Sequence, residues 1–275
     1  MHTNINNTLP AHFPPSGGAR GAVYGLIGFP LKYSFSSKFF TEKFEREGIN
    51  AEYLNFEIED ILQLREVIVF NQHLRGLNVT IPYKEKVIPF LNEISPEAQK
   101  IGAVNVIKVE RRPNDMYFYN LVGYNTDYIG FKNSILPLIR PKIHKKALLL
   151  GTGGASKAVA QALNDLGISW KYVSRTSDEN KFTYSELSSE ILSEYKIIVN
   201  CSPVGTFPNT DECPDIPYKL LTSEHLLYDL VYNPAETLFL TKGKAQGATI
   251  KNGAEMLELQ ALAAWEIWNT PLNLP

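Results

Sequence analysis

The sequence predicts an α/β protein built from two layered units, in which strands alternate with helices along a largely parallel sheet. Three observations indicate this class. Short apolar runs alternate with amphipathic stretches of helical spacing from residue 22 onward. The same rhythm restarts near residue 145 with a buried strand that leads into a glycine-rich turn. The chain of 275 residues is also long enough for two domains with sizeable cores.

The first unit begins with an apolar strand, AVYGLIGFP, at 22–30. The helical spacing of 36–48 follows and ends at Gly48, a residue type suited to a helix C-cap. The other predicted elements are, in order, a strand at 51–58, an amphipathic helix at 59–72, a strand at 77–81, and paired strands at 103–110 and 116–125.

The strand LNVTI at 77–81 carries polar residues that converge. Asn78 and Thr80 alternate onto one side of the strand. Pro82 cannot donate to a sheet ladder, so it ends the strand or begins a helix, and Lys84 follows within one turn. For a lone lysine, a solvated residue that opens a surface helix is the better interpretation. A functional interpretation depends on what the rest of the chain brings to this point.

The second unit has the periodicity of a doubly wound nucleotide-binding domain. Its predicted elements are a helix at 126–138, a strand and helix within 145–167, strands at 170–176, 195–203 and 225–234, and a final helix at 253–268. The final helix carries a long apolar face that must cover other parts of the fold.

The turn after the strand ALLL contains Gly151, Gly153 and Gly154, with Ser156 in place of a third glycine. Glycine lets the backbone approach a pyrophosphate, whose charge is stabilised by the exposed amides of a helix N-terminus. A tight strand-to-helix turn needs glycine for steric reasons alone, but the strand before and the helix after favour a dinucleotide site. The next strand ends in Arg175, which suits a 2′-phosphate, whereas an NAD site usually has an acidic residue there. A surface arginine is the alternative.

Composition narrows the function classes. The net charge of −2 gives no electrostatic reason to expect nucleic acid or an anionic membrane as a partner. Cys201 and Cys213 are too few for a disulfide framework and lack metal-ligand spacing, so we expect a reduced, cytoplasmic protein without a metal site. Residues 1–22 lack the apolar core of a signal peptide, and we interpret them as a flexible N-terminal extension.

Six motifs occur in an order and spacing that resemble the shikimate dehydrogenase family, over about 23–269. They are YSFS at 33–36, NVTIPYK at 78–84, GAVN at 102–105, GYNTD at 123–127, GTGGAS at 151–156 and NGAEMLELQA at 252–261. The resemblance implies an N-terminal α/β substrate domain at 23–126 and a Rossmann-like NADP-binding domain at 127–250, with a cleft between them that holds the active site. It also implies that a C-terminal helix at 251–275 packs back on the substrate domain. The implied reaction is the reversible NADP-linked oxidation of shikimate to 3-dehydroshikimate.

The resemblance assigns roles residue by residue. Lys84 and Asp127 are implied to be the catalytic pair beside the reacting hydroxyl. The implied substrate-binding residues are Ser34 and Ser36 at the carboxylate, and Asn78, Thr80, Lys84, Asn105, Asp127, Tyr232 and Gln260 at the rest of the molecule. The implied cofactor-binding residues are Gly151, Thr152, Gly153, Gly154, Ala155, Ser174, Arg175, Thr176, Leu230 and Gly253. Ser34 and Ser36 share a face if their segment is extended, whereas a helix-capping serine is the structural alternative.

The sequence departs from the family pattern at two places. The usual His-Ser-x-Ser-Pro is Tyr33 to Ser37 here, which keeps both serines, and the usual Asn-Arg-Thr is Ser174-Arg175-Thr176. The rival functions are a quinate/shikimate dehydrogenase that uses NAD, for which Asp178 or Glu179 would read the ribose, and a non-catalytic regulator that binds shikimate or nucleotide. We expect a small-molecule substrate, no nucleic acid or membrane partner, and a monomer or homodimer.

Overall fold

The computed structural model describes residues 21–31, 34–112, 118–176 and 178–271. Within these residues the chain forms two compact units. One comprises the described residues up to Asn125 together with those from Ala264 onward, and the other is Thr126–Ala263. The predicted N-terminal extension at 1–22 lies almost entirely outside the described residues, and so does Tyr33.

The first unit contains six strands and three complete helices within its described residues. These are β1 (Ala22–Gly28), α1 (Phe35–Glu47), β2 (Ala51–Glu57), α2 (Leu64–Phe70), β3 (Leu74–Val79), β4 (Glu93–Ile94), α3 (Pro96–Ile101), β5 (Val106–Arg111) and β6 (Tyr119–Tyr124). Helix α1 ends at Gly48, which adopts a left-handed φ of 64° as the predicted C-cap.

The six strands form one sheet in the order β2-β1-β3-β5-β6-β4. The pairs β1–β2, β1–β3 and β4–β6 are parallel, but β3–β5 and β5–β6 are antiparallel. The prediction of paired strands is therefore confirmed, and three of the five pairings are parallel as predicted, whereas β5 pairs antiparallel with both of its neighbours. Only residues 112–118 separate β5 from β6, and so short a connection can join only antiparallel strands.

An aromatic cluster covers one face of this sheet. Its members are Tyr24, Phe40, Phe44, Tyr53, Trp265 and Trp268. The Phe40 and Tyr53 rings stack with centroids 5.0 Å apart, and Trp268 donates its indole N–H to the carbonyl of Ile107 at 3.0 Å. A Cβ at Gly76 would lie 2.2 Å from the Trp268 ring, so glycine at this position allows the C-terminal end of the chain to reach the sheet. Burial of each such side chain stabilises the fold by about 1.5–3 kcal/mol.

The second unit contains the remaining helices and strands of the described chain. These are α4 (Thr126–Ile135), β7 (Lys146–Leu150), α5 (Gly154–Asp165), β8 (Ser169–Ser174), β9 (Lys181–Thr183), α6 (Ser189–Glu194), β10 (Ile197–Asn200), β11 (Leu226–Asp229), α7 (Leu238–Lys244), β12 (Thr249–Lys251) and α8 (Ala254–Asn269), whose C-terminal end belongs to the first unit.

Its sheet is parallel throughout, in the order β12-β11-β10-β7-β8-β9. The chain adds β8 and β9 on one side of β7. It then crosses back and adds β10, β11 and β12 on the other side, as in a doubly wound fold. The prediction of a doubly wound domain is confirmed. A ligand in such a sheet binds at the carboxyl ends of the strands where the order reverses, which here is the space next to β7 and β10.

Several short elements differ from the prediction. The helix expected at 59–72 begins as a 3₁₀ turn, Ile61–Gln63, capped by Asp60, and continues as α2. The strand expected at 225–234 ends at Asp229, because its carboxylate binds groups of the chain that follows. The short elements β4, α3, β9, α6, α7 and β12 carry too few residues to show a period and were not predicted. In the described part of the chain, no helix combines the length and apolarity that crossing a membrane requires.

Candidate active site

In the first unit, the predicted residues lie around the carboxyl ends of β1 and β3, which are parallel neighbours. Thr80 follows β3, and its backbone N–H donates to the carbonyl of Ile27 at 3.0 Å. A Cβ at Gly28 would lie 2.4 Å from Cγ2 of Thr80, so glycine allows the threonine to lie against the end of β1. The Thr80 hydroxyl is half-buried and makes no hydrogen bond to the described residues. It is therefore available to a ligand.

Ser36 and Asn78 are connected through a residue that the sequence did not indicate, Tyr53 on β2. The buried Tyr53 hydroxyl donates to Oδ1 of Asn78 at 2.6 Å, and Ser36 lies beside the same hydroxyl. Burial raises the pKa of Tyr53 well above its ordinary value, so the phenol stays neutral and remains a donor. The Nδ2 donors of Asn78 have no partner among the described residues, although the side chain is only 4% exposed. Only the register of β2 and of β3 against β1 reveals this connection.

Ser34 is the N-cap of α1, and its Oγ accepts the backbone N–H of Ser37 at 3.0 Å. Ser36 lies in the first turn of the same helix. The two serines therefore do not share one face of an extended segment, and the capping interpretation of Ser34 is right. Capping uses the hydroxyl oxygen as an acceptor, which leaves the O–H of Ser34 able to donate to an anion.

Lys84 lies in a turn rather than at the start of an α-helix, and it is half-buried. Its carbonyl accepts the N–H of Val104 at 2.7 Å. The residue after Val104, buried Asn105, accepts from the N–H of Val79 at 2.8 Å and donates its own N–H to Tyr124 at 3.0 Å. These backbone bonds attach the Lys84 turn and Asn105 to the end of β3. The structure thus groups Lys84 and Asn105 with Asn78 and Thr80.

In the second unit, Asp127 lies in the first turn of α4, where the helix dipole stabilises a carboxylate. Its neighbour Thr126 contacts Gln260 of α8, with 3.4 Å between the threonine Oγ1 and the amide Oε1. The other amide atom of Gln260 donates to the carbonyl of Leu257 at 3.0 Å. The helices pack closely because residue 130 is glycine, whose Cβ would lie 2.4 Å from the carbonyl oxygen of Met256. Asp127 and Gln260 are both buried.

The glycine loop connects β7 to α5. Gly151 has a φ of +105°, a conformation that L side chains rarely adopt, and its N–H donates to Val173 at 3.0 Å. Gly153 is the N-cap of α5 and provides no side-chain cap, so the amides of the first turn, which include those of Gly154 and Ala155, are not satisfied by a capping side chain. A helix N-terminus of this kind favours a phosphate group. The predicted loop geometry is confirmed in this respect.

A cavity of about 490 Å³ adjoins this loop. Its lining residues are Gly151, Thr152, Val173, Ser174, Arg175, Tyr184, Ser202, Val204, Cys213, Pro214 and Asp215. Four of the predicted cofactor residues, Gly151, Thr152, Ser174 and Arg175, therefore surround one space. Thr176 does not line it, although its N–H is held by Oγ of Ser174 at 3.2 Å.

Arg175 is exposed, and no carboxylate of the described residues pairs with it. The acidic residues that could have read an NAD ribose lie in the next turn. Of these, Asp178 forms an ion pair with Lys181 at 2.9 Å, which lowers the pKa of the Asp178 carboxyl and neutralises much of its charge. The guanidinium of Arg175 thus keeps its donors for a phosphate.

Leu230 and Gly253 lie in direct contact. A Cβ at Gly253 would be 2.2 Å from the carbonyl oxygen of Leu230, and the Gly253 N–H donates to Val231 at 3.2 Å. Tyr232, two residues beyond Leu230, is 40% exposed. Glycine is thus required where the start of α8 meets the end of β11, and the structure brings together the two residues predicted to border the nicotinamide.

The sequence analysis missed a buried polar network centred on Asp229. Its carboxylate accepts from the Thr237 hydroxyl at 2.6 Å, from Nδ2 of Asn200 at 2.9 Å and from the N–H of Val231 at 3.0 Å. Oδ1 of Asn200 in turn accepts from the N–H and hydroxyl of Ser202, which lines the cavity. Burial raises the pKa of Asp229 to about 6. The network fixes one wall of the cavity, and polar residues at two strand ends were its only sequence signal.

Comparisons with known proteins agree with these features. The model of the family "Shikimate dehydrogenase substrate binding domain" matches residues 26–107. The shikimate dehydrogenase (NADP(+)) of Carboxydothermus hydrogenoformans is 40% identical over 261 residues, which covers 89% of this chain and 90% of that protein.

Two crystal structures are also similar over most of the chain. Shikimate dehydrogenase from Aquifex aeolicus is 34% identical with a TM-score of 0.78, covering 94% of this chain and 95% of that one. The Thermus thermophilus enzyme, solved in complex with NADP(H) and shikimate, is 30% identical with a TM-score of 0.75, covering 91% of this chain and 94% of that one.

Proposed function

This chain belongs to the shikimate dehydrogenase family, and we propose that it catalyses the reversible NADP-dependent oxidation of shikimate to 3-dehydroshikimate. In the biosynthetic direction it reduces 3-dehydroshikimate on the route to chorismate and the aromatic amino acids. The observation that carries the proposal is the group of unused hydrogen-bonding atoms at the end of β3. Asn78 and Thr80 both present polar atoms that no described residue satisfies, next to the turn that holds Lys84.

The substrate has a carboxylate and three hydroxyls, which need short donors and amide groups rather than an apolar pocket. Ser34 and Ser36 bind the carboxylate, and Asn78, Thr80, Asn105, Asp127 and Gln260 bind the ring hydroxyls, with Tyr232 beside the ring. The O–H of Ser34 supports its part of this assignment, because capping of α1 uses only the oxygen as an acceptor. A half-buried site makes each such bond worth more than it would be in water.

Lys84 and Asp127 form the acid/base pair. Oxidation of a secondary alcohol requires the hydroxyl proton to leave as the carbonyl forms, and a positioned acid/base group accelerates such a step by roughly 10²–10⁴-fold.

The second unit holds the cofactor, and its cavity and unsatisfied helix amides fit a phosphorylated dinucleotide. When bound, NADP supplies the nicotinamide that accepts or returns the hydride. The residues from Gly151 to Ala155 hold the pyrophosphate, and Ser174 to Thr176 hold the 2′-phosphate, with Arg175 as the cation. Leu230 and Gly253 border the nicotinamide.

Three segments of the chain have separate proposed roles. Residues 23–126 act as the substrate domain, 127–250 as the NADP domain, and the C-terminal helix at 251–275 packs back on the substrate domain, a role that the bond from Trp268 to Ile107 supports. The enzyme is cytoplasmic, in keeping with two free cysteines, and is a monomer or homodimer. Light scattering of the purified protein measures its oligomeric state.

A turnover assay that crosses shikimate and quinate with NADP and NAD tests the proposal. We expect shikimate with NADP to give the highest kcat/KM. One charge-assisted contact favours NADP over NAD by roughly tenfold to a hundredfold in affinity. Arg175→Ala should therefore lower kcat/KM for NADP by about this factor and leave kcat/KM for NAD almost unchanged. Lys219→Ala, an exposed cation that does not line the cavity, is the matched control. Preference for quinate or for NAD in the parent protein would contradict the proposal.

A further inference from the structure

We infer that Asp215 binds the exocyclic amino group of the adenine base and thereby selects an adenine nucleotide over one with a carbonyl at the same ring position. The inference rests on the proposed NADP site and assigns a nucleobase-specificity residue within it. Asp215 lies in the long connection between β10 and β11, far in sequence from the glycine loop and from Arg175.

The position of Asp215 is defined by the cavity in the second unit. It is the one carboxylate among the eleven residues that line this space. Burial is the main reason that the pKa values of Tyr184 and Tyr218 are raised, and the charge of Asp215 adds a smaller increase to each. Within the described part of the chain, Asp215 has no hydrogen-bond or ion-pair partner and is exposed. Its acceptor oxygens are therefore unused.

A carboxylate in this cavity needs an explanation, because the proposed ligand carries several negative charges. At a few ångströms two like charges repel, and the repulsion is stronger near a protein surface than in bulk water. The unsatisfied amides of α5 and the guanidinium of Arg175 suit the phosphates. An ionised carboxylate only accepts hydrogen bonds, so Asp215 must face a part of the ligand that donates.

The adenosine half of NADP offers two kinds of donor, the ribose 3′-hydroxyl and the amino group of adenine. The ribose hydroxyl is bonded next to the 2′-phosphate, which places it with Ser174 and Arg175. The lining of the same cavity includes Pro214, which precedes Asp215 in the chain, Val204 and Tyr184, and these side chains suit a flat apolar base. Asp215 at the edge of such a surface can read the hydrogen-bonding edge of the purine.

This arrangement discriminates by chemistry as well as by shape. Adenine presents an amino donor at ring position 6, whereas hypoxanthine and guanine present a carbonyl oxygen there. Where the carboxylate approaches position 6 from the side of N7, away from the N1–H that hypoxanthine and guanine carry, it faces the carbonyl as two acceptors without a proton between them. Sites built around a substrate hydrogen-bonding group reject the analogue that lacks the group more strongly than apolar pockets reject a changed methylene.

The test measures equilibrium dissociation constants of the folded full-length protein for NADP and for its 6-deamino (hypoxanthine) analogue. A hydrogen bond to a charged group corresponds to roughly tenfold to a hundredfold in affinity, so the parent should bind NADP more tightly by about that factor. Asp215→Asn should bring the ratio of the two dissociation constants close to one, because the asparagine amide can accept from the amino group of adenine and can also donate to the carbonyl of hypoxanthine. Any general gain from removing a negative charge affects both ligands and cancels in the ratio.

Asp211→Asn is the matched control, because Asp211 is an exposed aspartate of the same connection that does not line the cavity. Its ratio should equal that of the parent. The inference is overturned if the parent does not discriminate, or if Asp215→Asn leaves the ratio unchanged while weakening both ligands, as a ribose contact would. In both cases the parent protein still turns over shikimate with NADP, so the proposed function stands, whereas absence of any NADP binding by the parent overturns the proposed function and this inference together.

Discussion

Asn78 and Asn200 lie near the carboxyl ends of central strands, β3 and β10, in the two sheets, and both are buried. The amide of Asn200 is fully engaged. Its Nδ2 donates to Asp229 at 2.9 Å and to the carbonyl of Val204 at 3.3 Å, and its Oδ1 accepts twice from Ser202. The amide of Asn78 accepts once, from Tyr53, and its donors have no partner in the described part of the chain.

The difference separates two uses of a buried polar residue. Nδ2 of Asn78 is not among the buried side-chain atoms that lack a partner, so it is open to solvent or to a ligand. Asn200 shapes a cavity wall through bonds inside the protein, whereas Asn78 and Thr80 present atoms that a ligand can satisfy. Variants at the end of β3 should therefore change activity, and variants around Asp229 should change stability.

The largest expected effect is at the Lys84 turn. Lys84→Met keeps the aliphatic stem but removes the amine, so kcat should fall by roughly 10²–10⁴-fold with a much smaller change in KM and little change in melting temperature. Steady-state kinetics and thermal unfolding measure both quantities. Lys86→Met, an exposed lysine of the same turn, is the control and should behave as the parent. A kcat close to that of the parent in folded Lys84→Met would remove Lys84 from the catalytic pair.

The second effect comes from one chemical change made in both regions. Thr237→Val removes a hydroxyl that donates to Asp229 and caps α7. Loss of this cap and of a bond to a carboxylate should reduce the free energy of unfolding by about 2–4 kcal/mol. Thr80→Val removes a hydroxyl without a partner among the described residues, so stability should change by less than about 0.5 kcal/mol.

Activity should show the reverse order. Thr80→Val should raise KM for shikimate by roughly two- to tenfold, the worth of one neutral hydrogen bond, while Thr237→Val leaves KM for shikimate nearly unchanged at a temperature where it is folded. Urea denaturation and initial rates on the same preparations supply both readouts. Equal loss of stability in the two variants would abolish the distinction between the two strand ends.

The third effect is the contribution of Asp229 to the pH dependence of stability. Its pKa is about 6 in the folded protein, above the ordinary value of an aspartate, because burial disfavours the charged carboxylate. The folded state therefore binds the proton more tightly than the unfolded state, and the free energy of unfolding falls as pH rises from about 4 to about 6. The loss should be about 2–3 kcal/mol and should be complete above that range.

Asp229→Asn cannot titrate and isolates this contribution. The difference in unfolding free energy between parent and variant, measured in urea across a pH range of about 4.5 to about 7.5, cancels all other carboxylates. The parent should lose unfolding free energy relative to Asp229→Asn as pH rises. A difference that stays constant would mean that the bonds from Thr237, Asn200 and Val231 offset the burial of the charge.

Much of this organisation was predictable because it depends on short-range pattern. The glycine loop, the strand β3 with Asn78 and Thr80, and the paired strands β5 and β6 each have a local signature, in glycine spacing or in alternation of apolar residues. The doubly wound order of the second sheet followed from the alternation of strands and helices. Gly48 was identified as a C-cap because few residues adopt its left-handed conformation.

The remainder depended on contacts between distant residues. Tyr53 meets Asn78 only because β2 and β3 both pair with β1 in a particular register, which the sequence does not contain. Asn200 and Asp229 meet only because β10 and β11 are paired neighbours, and Thr237 returns to Asp229 from the start of α7. The mixed sheet of the first unit also escaped prediction, because alternation of strands with helices does not set the direction of the later strands.

The smallest expected difference in stability, less than about 1 kcal/mol, separates two roles within one residue, Ser34. Its oxygen caps α1, and its O–H is proposed to bind the substrate carboxylate. An N-cap serine replaced by alanine costs about 1 kcal/mol of stability, whereas glycine costs only a few tenths. Ser34→Ala and Ser34→Gly should therefore differ in melting temperature, yet both should raise KM for shikimate by about tenfold to a hundredfold, since both lack the hydroxyl. Ser34→Asp should keep the cap and raise KM further, because its carboxylate repels that of the substrate. If KM instead followed melting temperature across the three variants, Ser34 would serve the helix alone.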